Sequence, residues 1–307
     1  MNFQQLRIVH ETVRRNFNLT EVAAALFTSQ SGVSKHIKDL EDELGVELFV
    51  RRGKRLLGLT EPGKELAVIV ERMLLDARNI KRLAEQFSNS EQGRLTVATT
   101  HTQARYALPQ VVARFKAAYP RVHLVLHQGS PAEIVSMLQS GEADIGIATE
   151  ALDSVEPFVT FPFYDWHHAV VVPEGHPLAA VQPLTLEALA EHPLITYHEG
   201  YTGRARIDAT FAQAGLSPDI VMSALDADVI KTYVQVGLGV GIVAAMAVDA
   251  QRDPGLRLLP AEHLFSANTT RIALRRGHYL RGYAYHFLQE CTPSLDEDTV
   301  KSAISRE

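Results

Sequence analysis

The sequence predicts an α+β head over residues 1–60 and a larger α/β domain over residues 94–292, and three observations predict this division. Residues 19–45 read as two helices separated by a tight polar turn. From Leu66 to Phe87, apolar residues recur at alternating spacings of four and three. Beyond Gly93, short apolar runs alternate with helical periods, the rhythm of a parallel sheet with right-handed crossovers.

The head begins with a helix over residues 3–15 that sets Phe3, Leu6, Val9 and Val13 on one stripe. Thr20 is the expected N-cap of the next helix, which carries Val22, Ala23, Ala25 and Leu26 and is broken by Thr28 and Ser29. In the helix that follows, Val33, Ile37, Leu40 and Leu44 fall on one buried stripe. Ser31, Ser34, Lys35 and Lys38 fall opposite, a small and basic face that suits a DNA major groove. Glu41, Asp42 and Glu43 close this helix, and as acids they would have to point away from phosphate. Any amphipathic helix pair with solvated lysines gives the same pattern. What tips the balance is the next segment, where Arg51, Arg52, Lys54 and Arg55 surround Gly53 between Phe49 and Leu56. A short basic hairpin directly after a helix pair reads as a phosphate-contacting wing, because counterion release supplies most non-specific DNA affinity. The head is therefore expected to be a winged helix-turn-helix.

Ala23-Ala24, Thr28-Ser29-Gln30-Ser31, Val33-Ser34, Leu40-Glu41, Leu44-Gly45, Leu48-Phe49, Arg51 and Leu59-Thr60-x-x-Gly63 together resemble the N-terminal signature of LysR-type transcriptional regulators. The DNA-contacting role implied by the resemblance falls on Gln30, Ser31, Ser34, Lys35 and the wing cations Arg51, Arg52, Lys54 and Arg55. Lys38 joins them on the same face.

After the wing, Thr60 can cap a helix over residues 61–88, with Pro62 tolerated in its first turn. Leu66, Val70, Met73, Ala77, Ile80, Ala84 and Phe87 make the a/d seam of a coiled coil. A core helix of one domain would show the same spacing, but a helix this long between two domains has little else to cover its seam. In the resembling family this helix pairs two subunits, which implies a dimer presenting two recognition helices to a two-fold operator, and a homotetramer beyond it. Residues 89–93 are polar and end in Gly93, the expected hinge.

The 307 residues, 46% hydrophobic and 21% charged, describe ordinary globular material of two or three domains. With no charged-plus-apolar leader and no long apolar run, the protein is expected in the cytoplasm. The single cysteine, Cys291, excludes an intramolecular disulfide and a thiolate-rich zinc site. The net charge of −6 divides into +2 over residues 1–64 and −8 over the rest, so only the head suits nucleic acid.

In the α/β domain, strands are expected at 95–99, 122–127, 143–149, 168–172, 194–197, 220–223, 240–244 and 271–274. Helices are expected at 104–119, 132–140, 203–214, 227–237 and 279–291. The family resemblance implies a two-lobed effector domain like a periplasmic binding protein. Lobe I takes about 94–161 and 267–292, lobe II about 162–266, with crossings near Phe161 and Phe265 and a loose charged tail at 293–307.

Open α/β sheets bind ligands beyond the carboxyl ends of their strands. Those ends carry Thr99-Thr100-His101-Thr102-Gln103, Thr149-Glu150 and, in the second lobe, Tyr201-Thr202-Gly203. Taken singly each Thr is more commonly a cap, but together they suggest an anion held by neutral donors at helix starts. The segments from Thr99 to Pro109, Gln128 to Pro131, Ala148 to Ala151, Thr202 to Arg204 and Asp226 to Val234 resemble the CysB-like subgroup, regulators of cysteine biosynthesis and sulfur-source use. This resemblance implies that Thr100, Thr102, Gln103, Thr149 and Thr202 hold a sulfate-like anion or acetylated serine between the lobes. Trp166 would line the cavity, and Glu150 would orient the site or exclude more negative ligands. The chain departs from the pattern at Phe163, where some members have cysteine, and in a shorter C-terminal tail.

The expected function is a sulfur-responsive transcriptional regulator that binds double-stranded promoter DNA. Its candidate effectors are sulfate, thiosulfate, adenylyl sulfate and N- or O-acetylserine, and no cofactor or catalytic residue is expected. Enzyme readings are weaker. His167 and His168 would point to opposite faces of a strand and cannot readily share a metal, and G-x-S-x-G, G-x-G-x-x-G and P-loop motifs are absent. Gly237 to Gly241 reads as a tight turn between helix and strand. The alternative is a cytosolic solute-binding or sulfur-metabolising protein with an accessory helix-turn-helix; the basic wing and the seam helix favour the regulator.

Overall fold

A computed structural model describes residues 1–53, 55–88, 91–153 and 155–305; Lys54 of the wing and Asn89 and Ser90 of the expected hinge lie outside the described residues. Contacts divide the chain into two units, Met1–Ala84 and Glu85–Glu307.

In the first unit, α1 (Phe3–Arg14) starts at a capping box, with Asn2 accepting from the Gln5 N–H and the Gln5 side chain returning to Asn2 N. Its buried stripe begins at Leu6 and includes Ile8 and Val9, whereas Phe3 stays half exposed in the first turn. The cap of α2 (Leu19–Ala25) is Asn18, not Thr20: Asn18 Oδ1 accepts from the N–H groups of Thr20 and Glu21. Asn16 and Phe17, both at positive φ, turn the chain so that the helix opens before Thr20, and Asn caps at least as well as Thr. Ser29 caps α3 (Gln30–Leu44), which ends at Gly45 with φ 71°. Val33, Ile37 and Leu40 are fully buried, but Leu44 is 40% exposed because the helix stops there and the chain leaves the core. The wing is an antiparallel hairpin, β1 (Phe49–Arg52) and β2 (Arg55–Leu59). Thr60 Oγ1 then accepts from Gly63 N–H at the start of α4 (Glu61–Ser88). Gly63 is needed for close approach, since a Cβ there would stand 2.0 Å from the Leu48 carbonyl oxygen. Along α4 the expected seam divides. Val70 is buried in the head's own core with Leu66 and Met73 packed against it, while Ile80 and Phe87 are exposed, as is Leu83 outside the seam. Burying such side chains contributes about 1.5–3 kcal/mol each, so the first half of α4 belongs energetically to the head.

The second unit contains two five-stranded mixed sheets. In chain order it runs β3 (Gly93–Thr99), a π-helical turn (Gln103–Ala107), α5 (Pro109–Ala118), β4 (Val122–Gln128), α6 (Pro131–Ser140), β5 (Ile145–Ala148) and β6 (Phe158–Trp166). Then come β7 (His168–Pro173), α7 (Leu186–Ala190), β8 (Leu194–Tyr197), α8 (Arg204–Gln213), β9 (Ile220–Ala224), α9 (Ala227–Gln235), β10 (Val240–Ala244) and β11 (Leu256–Pro260). β12 (Asn268–Arg275), α10 (Gly282–Cys291) and α11 (Glu297–Ser305) complete it. The first sheet has the order β4-β3-β5-β12-β6 and the second β11-β7-β10-β8-β9. β3 lies parallel to β4 and β5, and β8 parallel to β9 and β10; the remaining pairs are antiparallel.

Four expectations are corrected here. The crossing expected near Phe161 falls between Trp166 and His168, because the whole of β6 pairs with β12 in the first sheet. The helix expected over 104–119 is two pieces, a π turn and then α5, because Pro109 cannot donate within a continuous helix. The sheets are mixed rather than parallel, since β6, β7, β11 and β12 run against their neighbours. The tail is not loose: Asp296 Oδ1 accepts from Thr299 N–H at the start of α11, and Val300 and Ile304 enter the core of the first lobe. Among the described residues no helix is long and apolar enough to cross a membrane.

Candidate functional site

The candidate nucleic-acid face lies on α3. Gln30, Ser31, Lys35 and Lys38 are exposed and Ser34 is half-buried, on the side away from Val33, Ile37 and Leu40. A groove of about 350 Å³, lined by Phe17, Asn18, Leu19, Thr20, Gln30, Arg55 and Leu56, brings the start of α3 to the wing. Arg52 and Arg55 are exposed and carry no ion pair among the described residues. Arg51 differs. Its Nη2 donates to Glu41 Oε2 at 2.6 Å, while Glu41 Oε1 accepts from the N–H groups of Leu48 at 2.9 Å and Phe49 at 3.2 Å. Glu41 is therefore a buried staple between α3 and the wing, because a carboxylate taken from water needs these donors.

In the second unit, strand ends converge where the two lobes meet. β3 delivers Thr100, Thr102 and Gln103, all at most 4% exposed. Thr99 is used structurally, its hydroxyl donating to the Ile147 carbonyl. β5 delivers Thr149 and Glu150, and the turn before α8 delivers Thr202 and Gly203 from the other lobe. Thr202, a β-branched residue, sits at φ 42°, and left-handed backbone of this kind costs of order 1–3 kcal/mol where it is held. Gly203 follows at φ 73°; a Cβ there would meet His168 Cε1 at 2.6 Å and Asn268 Oδ1 at 2.8 Å. Its N–H donates to Glu150 Oε1, tying the lobes together.

The centre of the network is Thr270 on β12. Its hydroxyl oxygen accepts from Gln103 Nε2 at 3.2 Å and Trp166 Nε1 at 3.1 Å and lies 3.3 Å from Thr149 Oγ1. The Tyr164 hydroxyl donates to Gln103 Oε1. Burial pushes the Tyr164 hydroxyl up to about 12 and holds the His168 ring down to about 4, so both are neutral. By contrast Thr102 Oγ1, Thr202 Oγ1 and Glu150 Oε2 are buried without a hydrogen-bond partner. Burial raises the Glu150 carboxyl above the usual range despite the opposing effect of Gly203 N–H. Thr270, Tyr164 and Asn268 were missed in the sequence because no local motif marks them; only the sheet brings them to residues more than sixty positions away.

Beside this cleft the lobes share a polar tie. Tyr106 Oη donates to Asp228 Oδ1 at 2.7 Å, Arg105 Nε lies 3.3 Å from Asp228 Oδ2, and buried Lys231 pairs with Asp228 at 3.2 Å and Asp253 at 2.9 Å. Donor atoms of His101, Asp226 and Asp228 come within 4.8 Å of one another, a spacing that could hold a cation. Asp228 is already balanced by Arg105 and Lys231, and Asp226 caps α9, so these groups serve the tie.

Both units have counterparts among known proteins. Residues 3–64 match the model of the bacterial regulatory helix-turn-helix protein, lysR family, and residues 88–296 match the LysR substrate binding domain. The HTH-type transcriptional regulator SsuR of Burkholderia cenocepacia is 62% identical over 304 residues, covering 99% of each chain. The HTH-type transcriptional regulator CysB of the same organism is 52% identical over 307 residues, 100% of this chain and 98% of the other. The crystal structure of the cofactor-binding domain of the Cbl transcriptional regulator superposes with a TM-score of 0.67 at 50% identity, covering 70% of this chain and 95% of that one. The chain belongs to the LysR family, transcriptional regulators that bind DNA through the head, take a small-molecule effector and oligomerise.

Proposed function

We propose that this regulator controls genes of sulfur assimilation and cysteine biosynthesis in response to a sulfate-like anion or an acetylserine held between its lobes. The observation that carries the reading is the pair of buried hydroxyls, Thr102 from lobe I and Thr202 from lobe II: Thr202 has no hydrogen-bond partner, and Thr102 has only the Tyr197 hydroxyl nearby, outside hydrogen-bond geometry. Buried polar groups are almost always satisfied, so hydroxyls left open on both walls of a cleft mark where a ligand's oxygens belong. Thr100, Gln103 and Thr149 complete a donor set without a cationic side chain, with Trp166 held beside it through Thr270. The CysB-like segments quoted above and the identity to CysB support the sulfur assignment. In the same reading Gln30, Ser31, Ser34, Lys35, Lys38, Arg52 and Arg55 face promoter DNA. Two chains pair through the exposed second half of α4, and the dimers associate to a tetramer. Residues 1–60, 61–88 and 94–292 are the DNA-binding, linker and effector segments.

Calorimetry on Thr100→Ala and Thr202→Ala tests the cleft. A hydrogen bond to a charged group is worth about 1.5–3 kcal/mol, so each variant loses roughly ten- to a hundredfold in affinity for sulfate or thiosulfate. Wild-type affinity in both for sulfate, thiosulfate and acetylserine refutes the site, and no specific shift of sulfur-gene promoter DNA refutes the regulon.

A further inference from the structure

We propose that Glu150 is a proton-coupled donor of this cleft: a sulfate-like dianion enters together with a proton that Glu150 takes on Oε2 and donates to the anion. The inference rests on the reading of the cleft as an anion site and adds the state in which that site binds.

Glu150 stands at the seam of the lobes. It follows Thr149 at the end of β5, and its Oε1 accepts from Gly203 N–H at the start of α8 in the other lobe. Oε1 is thus occupied in either protonation state, whereas Oε2 is buried and has no partner, like the hydroxyls of Thr102 and Thr202. An ionised carboxylate only accepts, and so does sulfate, so an ionised Oε2 against a sulfate oxygen would set acceptor against acceptor in a poorly solvated site. A proton on Oε2 converts this contact into an O–H donor that joins the threonines. No bond other than this O–H forms: one proton comes from solvent, and the liganded cleft keeps the two negative charges of the anion rather than three.

The groups facing Glu150 divide. The N–H groups of Gly203, of Glu150 itself and of Thr202, and Arg206 on α8, favour the ionised form, and burial opposes it more strongly. His168 on β7 packs against Gly203 and donates from Nε2 to the Thr202 carbonyl, and as a neutral ring it offers no charge. Arg271 on β12 is paired with Asp153. An arriving anion adds its field to the side of burial, which favours protonation.

The experiment titrates sulfate into the full-length chain by calorimetry, from about pH 6 to about pH 9, in pairs of buffers of different ionisation heat. Wild type should take up close to one proton per sulfate at the alkaline end, with Kd rising about tenfold per pH unit there. Glu150→Gln keeps an N–H donor in place of the O–H, so it should bind sulfate with no uptake and a flat pH profile. The carboxyl ¹³C shift of Glu150 in sulfate-bound wild type reads protonation directly and does not depend on a variant folding. Sulfate binding without proton uptake, an unchanged slope in Glu150→Gln, or an ionised carboxyl in the complex overturns the proposal while Thr100→Ala and Thr202→Ala still weaken sulfate. Sulfate affinity indifferent to those two threonine variants overturns the cleft itself, and this inference with it.

Discussion

Replacing Glu41 with Ala should destabilise the head while leaving the effector unit intact. The carboxylate accepts from two backbone N–H groups, at 2.9 and 3.2 Å, and from Arg51 at 2.6 Å. Its removal strands two buried donors and a guanidinium. Breaking a buried ion pair costs about 3–5 kcal/mol, but the Arg51 side chain is 35% exposed and recovers water, which places the loss near about 3 kcal/mol. A unit of this size has roughly 4–12 kcal/mol in total, so the loss is a large part of it. Arg51→Ala leaves the carboxylate with both N–H partners and should cost only about 1 kcal/mol. The double variant should cost less than the sum, because the two side chains share one interaction. The single tryptophan, Trp166, lies in the second unit, so its fluorescence follows that unit alone while far-UV circular dichroism follows both. In urea, Glu41→Ala should move an early dichroism transition and leave the fluorescence transition in place. A shift below about 1 kcal/mol in the dichroism, or an equal shift in both signals, would refute the staple.

Ser34→Ala and Lys35→Ala should weaken operator binding without altering effector affinity. Arg55→Ala should reduce the salt slope of DNA binding by about one, whereas Arg51→Ala, whose charge Glu41 already balances, should barely change it; equal slopes for the two would contradict the geometry. Ile80→Glu and Phe87→Glu place charge on exposed α4 side chains and should turn dimers into monomers in sedimentation, while Met73→Glu should instead unfold the head, against whose core Met73 packs. The His168 ring, neutral in the fold and depressed to about 4, makes the unfolded chain the stronger proton binder below its ordinary value of 6.5. Stability of the effector unit should therefore be full above that value and fall by up to about 3 kcal/mol as pH drops toward 4, a loss that His168→Gln should remove from the acid side of a denaturation series.

The elements that sequence periodicity reached were those with regular burial: the α3 stripe, the long α4, and strands such as β8 and β10. Others were hidden for identifiable reasons. β6 carries Pro162, which argues against a strand, yet it is the edge of its sheet, where a missing N–H is tolerated. α11 is dense in charge, and its Val300 and Ile304, four apart after the Asp296 cap, carried a helical signal that composition obscured. At the cleft, Thr100, Thr102, Gln103 and Thr202 were visible because they end strands or open helices. Thr270 was not, since its importance comes from three partners 104 to 167 positions away. Arg51 and Glu41 were both assigned by charge alone, and only burial reveals that they satisfy each other.

The tie of Tyr106, Arg105, Asp228 and Lys231 between the lobes has a kinetic consequence. On the proposed reading an effector held by Thr102 and Thr202, both at most 2% exposed, would reach them only while the lobes part and this tie is broken. Entry and exit then share one gate. The number of donors sets how tightly the effector is held, but the frequency of opening sets how long the complex lasts. Loosening the tie with Tyr106→Phe would shorten the effector's residence time and quicken its arrival together, giving a regulator that forgets a passing pulse of ligand sooner at little change in equilibrium occupancy.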